Sequence, residues 1–214
     1  MINIKVLPFI LCIVLLFGCG NEYNISECAL LLGKIILIDP GHGGNDNGAT
    51  YNGILEDEIN LSVALLLQES LLEEGVVALI TRTSDYDLSD MYSNNKKMRD
   101  LKERVKMINQ YKVDLFISLH MNVYRDSSVE GAQVFFQKDS DNSRRLAGMI
   151  QNELNKIQDK DRKEMLGDYY VLNNSERVGV LVEMGFLTSP KDVEKIMDKK
   201  HQILITNTII NSIK

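Results

Sequence analysis

The chain of 214 residues contains no tryptophan and only three prolines, three cysteines and three histidines. So few prolines leave no proline-rich linker, and without tryptophan there is no module anchored on that side chain. Three well-separated cysteines build neither a disulfide scaffold nor a four-thiolate metal cluster. The scarcity of histidine confines any imidazole-based metal site to very few positions. Basic charge is also in short supply: 24 Lys and Arg face 30 Asp and Glu, a formal net charge of −6. A chain of that sign has no general electrostatic grip on phosphates, so nucleic acid is not an expected partner. What remains is ordinary for a globular protein, with 44% hydrophobic and 25% charged residues. That composition excludes global disorder and a coiled coil, and the length suits one α/β domain.

The longest early hydrophobic run, Val6 to Phe17, follows a weakly positive start at Lys5. It fits the apolar core of a signal peptide and is shorter than the roughly 20 residues of a membrane-spanning helix. Leu16-Phe17-Gly18-Cys19 resembles a lipobox, in which Cys19 becomes a lipidated N-terminus. Residues 1–19 are therefore read as an export segment, of signal-peptide or lipoprotein type. Simple secretion, an uncleaved anchor and a buried N-terminal helix are the other readings. Residues 20–32 form a linker whose Cys28 reads as a small packing residue. On this reading the domain acts outside the cytoplasm and meets a membrane only through its N-terminal segment or its lipid.

From Gly33 onward strand and helix patterns alternate. Ile35 to Ile38, Val76 to Thr81, Val113 to Leu119 and Val178 to Val182 are continuous apolar runs, the pattern of strands buried on both faces. Gly131 to Gln137 alternates like a strand, and Tyr169 to Leu172 reads as a short one. Helical spacing covers Glu58 to Glu73, Met98 to Gln110 and Asn142 to Ile157, with Pro190 opening a further helix and Ile203 to Ile213 closing the chain. Ser84 to Lys97 reads as a long polar surface loop or a broken helix, and Asp159 to Glu164 as a charged loop. Strands separated by helices predict one domain over 33–214, with a mostly parallel twisted sheet covered by helices on both faces.

In such sheets sites form beyond the carboxyl ends of strands. His42 follows the first strand, His120 the third and Glu183 the last long one, while Glu56 lies just before the first helix. Each has a plainer reading. The Gly41-His42-Gly43-Gly44 stretch suits a turn or a phosphate cradle, His120 a satisfied core imidazole, and Glu56 an acidic helix start. Glu183 is harder to dismiss, because a carboxylate closing an apolar run is costly to bury alone. Together, two imidazoles and one carboxylate make a catalytic zinc set, with a second carboxylate left to exchange protons.

These residues lie in motifs that resemble the zinc-dependent N-acetylmuramoyl-L-alanine amidases. Ile38-Asp39-Pro40-Gly41-His42-Gly43-Gly44 comes first, then Gly53-Ile54-Leu55-Glu56 leading into Asn60-Leu61, then Thr81-Arg82. Ser118-Leu119-His120-Met121-Asn122 and Leu181-Val182-Glu183-Met184-Gly185-Phe186-Leu187 complete the series in family order. The resemblance spans Lys34 to Ile213, and the lack of a separate wall-binding module is most like the sporulation and germination members. It implies one zinc ion per chain on His42, Glu56 and His120, with Glu183 as general base and proton donor. Arg82 and Arg104 match family arginines of scaffold type, and Arg162 and Asn122 are carried over as substrate-groove positions. The Arg162-Lys163-Glu164-Met165 stretch departs from the family in lacking its usual glycine and later lysine.

The implied reaction is hydrolysis of the amide between N-acetylmuramic acid and L-alanine in peptidoglycan, glycan strands bearing peptide stems, as part of spore cortex modification. It implies a cell-wall or forespore intermembrane location, an open groove without the autoinhibitory helix of cell-division members, and an activating lipoprotein partner. Two other readings stand beside it: a different zinc-dependent wall peptidase, and a non-catalytic wall-binding lipoprotein.

Overall fold

In the computed structural model, residues 31–90 and 93–214 are described; the predicted export segment, Cys19 and Cys28 lie outside them. The apolar runs form the centre of a six-stranded sheet. Its strands are β1 (Ile35–Pro40), β4 (Val77–Ile80), β5 (Leu115–Asn122), β6 (Gln133–Phe136), β7 (Met165–Leu166) and β8 (Gly179–Phe186), in the order β4-β1-β5-β8-β6-β7. The pairs β4–β1, β1–β5 and β5–β8 are parallel, β6 runs antiparallel to β8, and β7 is parallel to β6. The mostly parallel α/β sheet predicted from the sequence is the one found.

Side-chain alternation assigns each strand residue to a face. Ile36, Ile38, Ile117, Leu119, Val180 and Val182 pack under the larger core. That core is closed by helices α1 (Glu56–Glu73), α3 (Asp141–Asn155) and α6 (Lys199–Ile213). Leu37, Phe116 and Leu181 point the other way, onto Ile108 of α2 (Lys96–Gln110) and Val171 and Leu172 of α4 (Tyr170–Asn174). Helix α5 (Pro190–Met197) starts as its sequence dictates, with Pro190 in the first turn and Ser189 accepting from the Asp192 amide. No described helix is long and apolar enough to cross a membrane.

Three local readings are corrected. Tyr169 to Leu172 is not a strand: the chain turns into the short helix α4, where the Tyr169 carbonyl accepts from Asn173 N at 2.9 Å. Strand β8 does not end at Glu183 but continues to Phe186, all eight residues buried. A two-stranded hairpin, β2 (Thr50–Tyr51) with β3 (Ile54–Leu55), precedes α1 and was too short to register in the sequence pattern.

Candidate functional site

The same alternation that buries Leu181 also sets the site. His120 and Glu183 are register partners on the adjacent parallel strands β5 and β8, so their side chains emerge side by side on the face that carries α2 and α4. His42 sits in the loop after β1 with φ of 62°, an unusual conformation for a residue with a Cβ. Its backbone is held there by Arg104, whose Nη2 donates to the His42 carbonyl at 2.6 Å. Arg82 Nη2 and Asn60 Nδ2 hold the Gly41 carbonyl at 2.9 and 3.3 Å. Glu56 is the first residue of α1, a helix whose N-cap, Leu55, provides no side-chain cap.

Glu56 Oε1 lies 2.9 Å from His120 Nδ1 and 3.2 Å from His42 Nε2. The two imidazole rings stand edge to face, 5.0 Å apart. One donor atom from each of His42, Glu56 and His120 lies within 4.8 Å of the others. The second Glu56 oxygen is fixed by the Ala49 amide at 2.7 Å, and Oε1 also accepts from Met121 N at 3.2 Å. Burial alone would raise the Glu56 pKa, but the hydrogen bonds and charges of His120 and His42 hold its carboxyl well below the usual carboxylate range. For His42 burial works downward, and is outweighed by Glu56 and Asp46, so that its pKa is raised.

The surrounding backbone is shaped for this cluster. A Cβ on Gly41 would stand 2.1 Å from the His120 ring, and one on Gly48 would stand 2.5 Å from Glu56 Oε2 and 2.6 Å from His42 Cδ2. Two imidazoles and a carboxylate, packed into a glycine-cleared hollow, are a zinc-type donor set, so the residues fit such an ion.

His42, Glu56, His120, Asn122, Tyr169 and Glu183 all line one cavity of about 330 Å³. Glu183 is 6% exposed. Burial pushes its carboxyl up to about 7, with Glu56 adding to the rise and His120, Tyr169 and His42 opposing it. A larger hollow of about 580 Å³, between Lys138 and Arg177, holds no comparable cluster among the described residues. Asn122 lines the cavity while its Oδ1 accepts from Val123 N at 2.8 Å. Arg162 is not among the cavity-lining residues. Its guanidinium donates to the Glu130 carbonyl at 2.7 and 3.1 Å and lies over the Phe186 ring, so it braces a loop and is not brought to this cavity. Arg82 and Arg104 are buried scaffold, as their sequence reading holds.

Two residues at the site escaped the sequence reading. Asp46 Oδ2 lies 3.0 Å from His42 Nδ1 and turns the opposite nitrogen toward Glu56. Its sequence signal was its place four residues after His42 in the same loop. Tyr169 has no such signal; its hydroxyl reaches Glu183 Oε1 at 3.3 Å only because the chain folds back.

The chain as a whole also resembles known proteins. Residues 36–214 match the family model described as N-acetylmuramoyl-L-alanine amidase. The germination-specific N-acetylmuramoyl-L-alanine amidase of Bacillus subtilis is 33% identical, over 99% of this chain and 94% of its own. The protein YqiI of the same organism is 36% identical over 91% and 92%. Among solved structures, the CwlD amidase of Clostridioides difficile, in complex with the GerS lipoprotein, superposes with a TM-score of 0.81. It is 32% identical, over 85% of this chain and 96% of that one. The chain belongs to the N-acetylmuramoyl-L-alanine amidases, hydrolases of cell-wall peptidoglycan.

Proposed function

We propose that this amidase works with one zinc ion held by His42, Glu56 and His120, and that Glu183 exchanges the protons of the reaction. The observation that carries this reading is the meeting of two imidazoles and a carboxylate, from three separate chain segments, in a cavity shared with a buried second carboxylate. Zinc in that position supplies a Lewis acid that polarises the scissile carbonyl and acidifies water. The chain's own residues do the rest. Asp46, on His42 Nδ1, keeps the imidazole in the tautomer that presents Nε2 to the site. Glu183 Oε2 is buried without a protein hydrogen-bond partner, leaving a lone pair free to take a proton from the attacking water. The same carboxyl then returns that proton to the nitrogen of the departing L-alanine, which leaves as an amine.

Spore cortex is the proposed setting, supported by the germination-specific relative. A site outside the cytoplasm follows from the same substrate, with residues 1–19 as export segment, Cys19 as its lipid acceptor, and 20–32 as linker ahead of the catalytic unit. An activating lipoprotein is the proposed partner, supported by the complex in which the CwlD amidase was solved. A loop-borne ligand such as His42 gains affinity when a partner orders its loop. The wall-peptidase and non-catalytic readings gain no support from the relatives. Glu183→Ala tests the assignment: it abolishes release of stem peptides from purified peptidoglycan while zinc content, by elemental analysis, stays at the parent level. Retained turnover overturns the role of Glu183, and zinc lost from Glu183→Ala but kept in His42→Ala overturns the ligand set.

A further inference from the structure

We propose that Tyr169 is a positioning residue whose phenol aims the Glu183 carboxylate at the reacting atoms. The inference rests on the assignment of proton exchange to Glu183. Tyr169 Oη donates to Glu183 Oε1 at 3.3 Å, and among the described residues no other hydrogen bond reaches that carboxylate. The two oxygens therefore differ: Oε1 is tethered and Oε2 is free. A glutamate side chain turns about several bonds, and a buried one with no anchor distributes itself over rotamers. Tethering one oxygen restricts that freedom and fixes the direction of the other.

The tether is itself held. The Tyr169 ring stands edge to face on Phe135, with centroids 5.2 Å apart, and packs against the smaller core. Its carbonyl is bound into the first turn of α4 by Asn173 N. The chain just before it passes so close that a Cβ on Gly167 would meet the Tyr169 ring at 3.0 Å. Tyr169 also lines the cavity with Glu183 and both imidazoles, so the hydrogen bond is made at the site itself. Burial and the neighbouring Glu183 charge push the phenol pKa upward, which keeps it a donor across the working range. It holds Glu183 without competing for the proton that Glu183 moves. Misplacement of a reacting group by about 1 Å costs on the order of 100-fold, so an anchor of this kind acts on rate.

Tyr169→Phe keeps the ring and its contact with Phe135 and removes only the hydroxyl. The full-length zinc-loaded protein is assayed on a soluble muropeptide bearing one N-acetylmuramoyl–L-alanine bond. The expected result is a fall in kcat of about tenfold, the scale of one hydrogen bond to a charged group, with KM and zinc content unchanged. In the Glu183→Asp background, where the carboxylate is drawn back from the phenol, the same change alters kcat by less than about twofold. Four results overturn the proposal: kcat of Tyr169→Phe within twofold of the parent, a rise in KM at constant kcat, loss of zinc, or an equal tenfold loss in the Glu183→Asp background. None of these touches the assignment of Glu183, which stands or falls on Glu183→Ala.

Discussion

Arg104 and Asp39 form a fully buried ion pair beneath the His42 loop, with Nη1 2.6 Å from Oδ1. Burial by itself would raise the Asp39 pKa, but the Arg104 charge and the hydroxyls of Thr81 and Ser118 hold its carboxyl below the usual range. The arginine is saturated in turn. It also binds Asp100 at 2.7 Å, the Pro40 carbonyl at 2.7 Å and the His42 carbonyl at 2.6 Å. A pair tied to so many neighbours joins β1, α2 and the His42 loop.

Asp39→Asn removes the charge opposite a buried guanidinium. The expected cost is about 3 kcal/mol of unfolding free energy, the low end for breaking a buried pair, since Asp100 still faces Arg104. Urea denaturation of the metal-stripped protein measures it. Because Arg104 orients the His42 carbonyl, zinc affinity falls in the same variant. A loss below about 0.5 kcal/mol, with zinc affinity at the parent level, would show that the pair does not brace the loop.

Gly48→Ala tests how closely the backbone is fitted to the ligands. Gly48 has φ of 67°, and an added Cβ would stand 2.5 Å from Glu56 Oε2. The carboxylate has to move, taking with it the oxygen that faces both imidazoles. Zinc affinity is expected to drop by at least tenfold, read by competition with a chromogenic chelator. Gly53→Ala is the control: its φ is 80°, but nothing lies within 4 Å of the added methyl, so it carries backbone strain alone. Equal losses in the two variants would assign the effect to backbone strain and not to the ligands.

The contrast between these positions shows what the sequence carried. The buried strands were legible because parallel strands covered on both faces are unbroken apolar runs, as in Ile35 to Ile38. His42, His120 and Glu183 were legible because rare or costly side chains fall at or near the ends of such runs. Glu183 also misled, since a charge after Val182 reads as the end of a strand; here β8 continues because the carboxylate points into the cavity. Tyr169 to Leu172 is rich in strand-forming residues, yet it packs on Phe135 and the smaller core as the start of a helix. Arg162 was placed by likeness alone, and nothing in its sequence neighbourhood indicates that its guanidinium is bound to the Glu130 carbonyl.

The Glu183 carboxyl makes stability depend on pH in a direction opposite to that of most acidic groups. Its pKa, ordinarily 4.5, is pushed up to about 7 in the folded chain, chiefly by burial. The native state therefore holds this proton more tightly than the unfolded chain. The stabilisation it contributes is present below pH 4.5 and lost as pH rises through 7. A rise of that size corresponds to about 3 kcal/mol. Glu183→Gln keeps the shape and cannot ionise, so it escapes the loss. In metal-stripped protein the variant gains on the parent by about that amount between pH 5 and pH 8, measured by urea denaturation at each pH. With zinc bound the difference narrows, because a nearby dication favours the carboxylate. A difference that stays flat from pH 5 to pH 8 in the stripped protein would mean that the carboxyl is solvated after all, and that burial does not set its proton affinity.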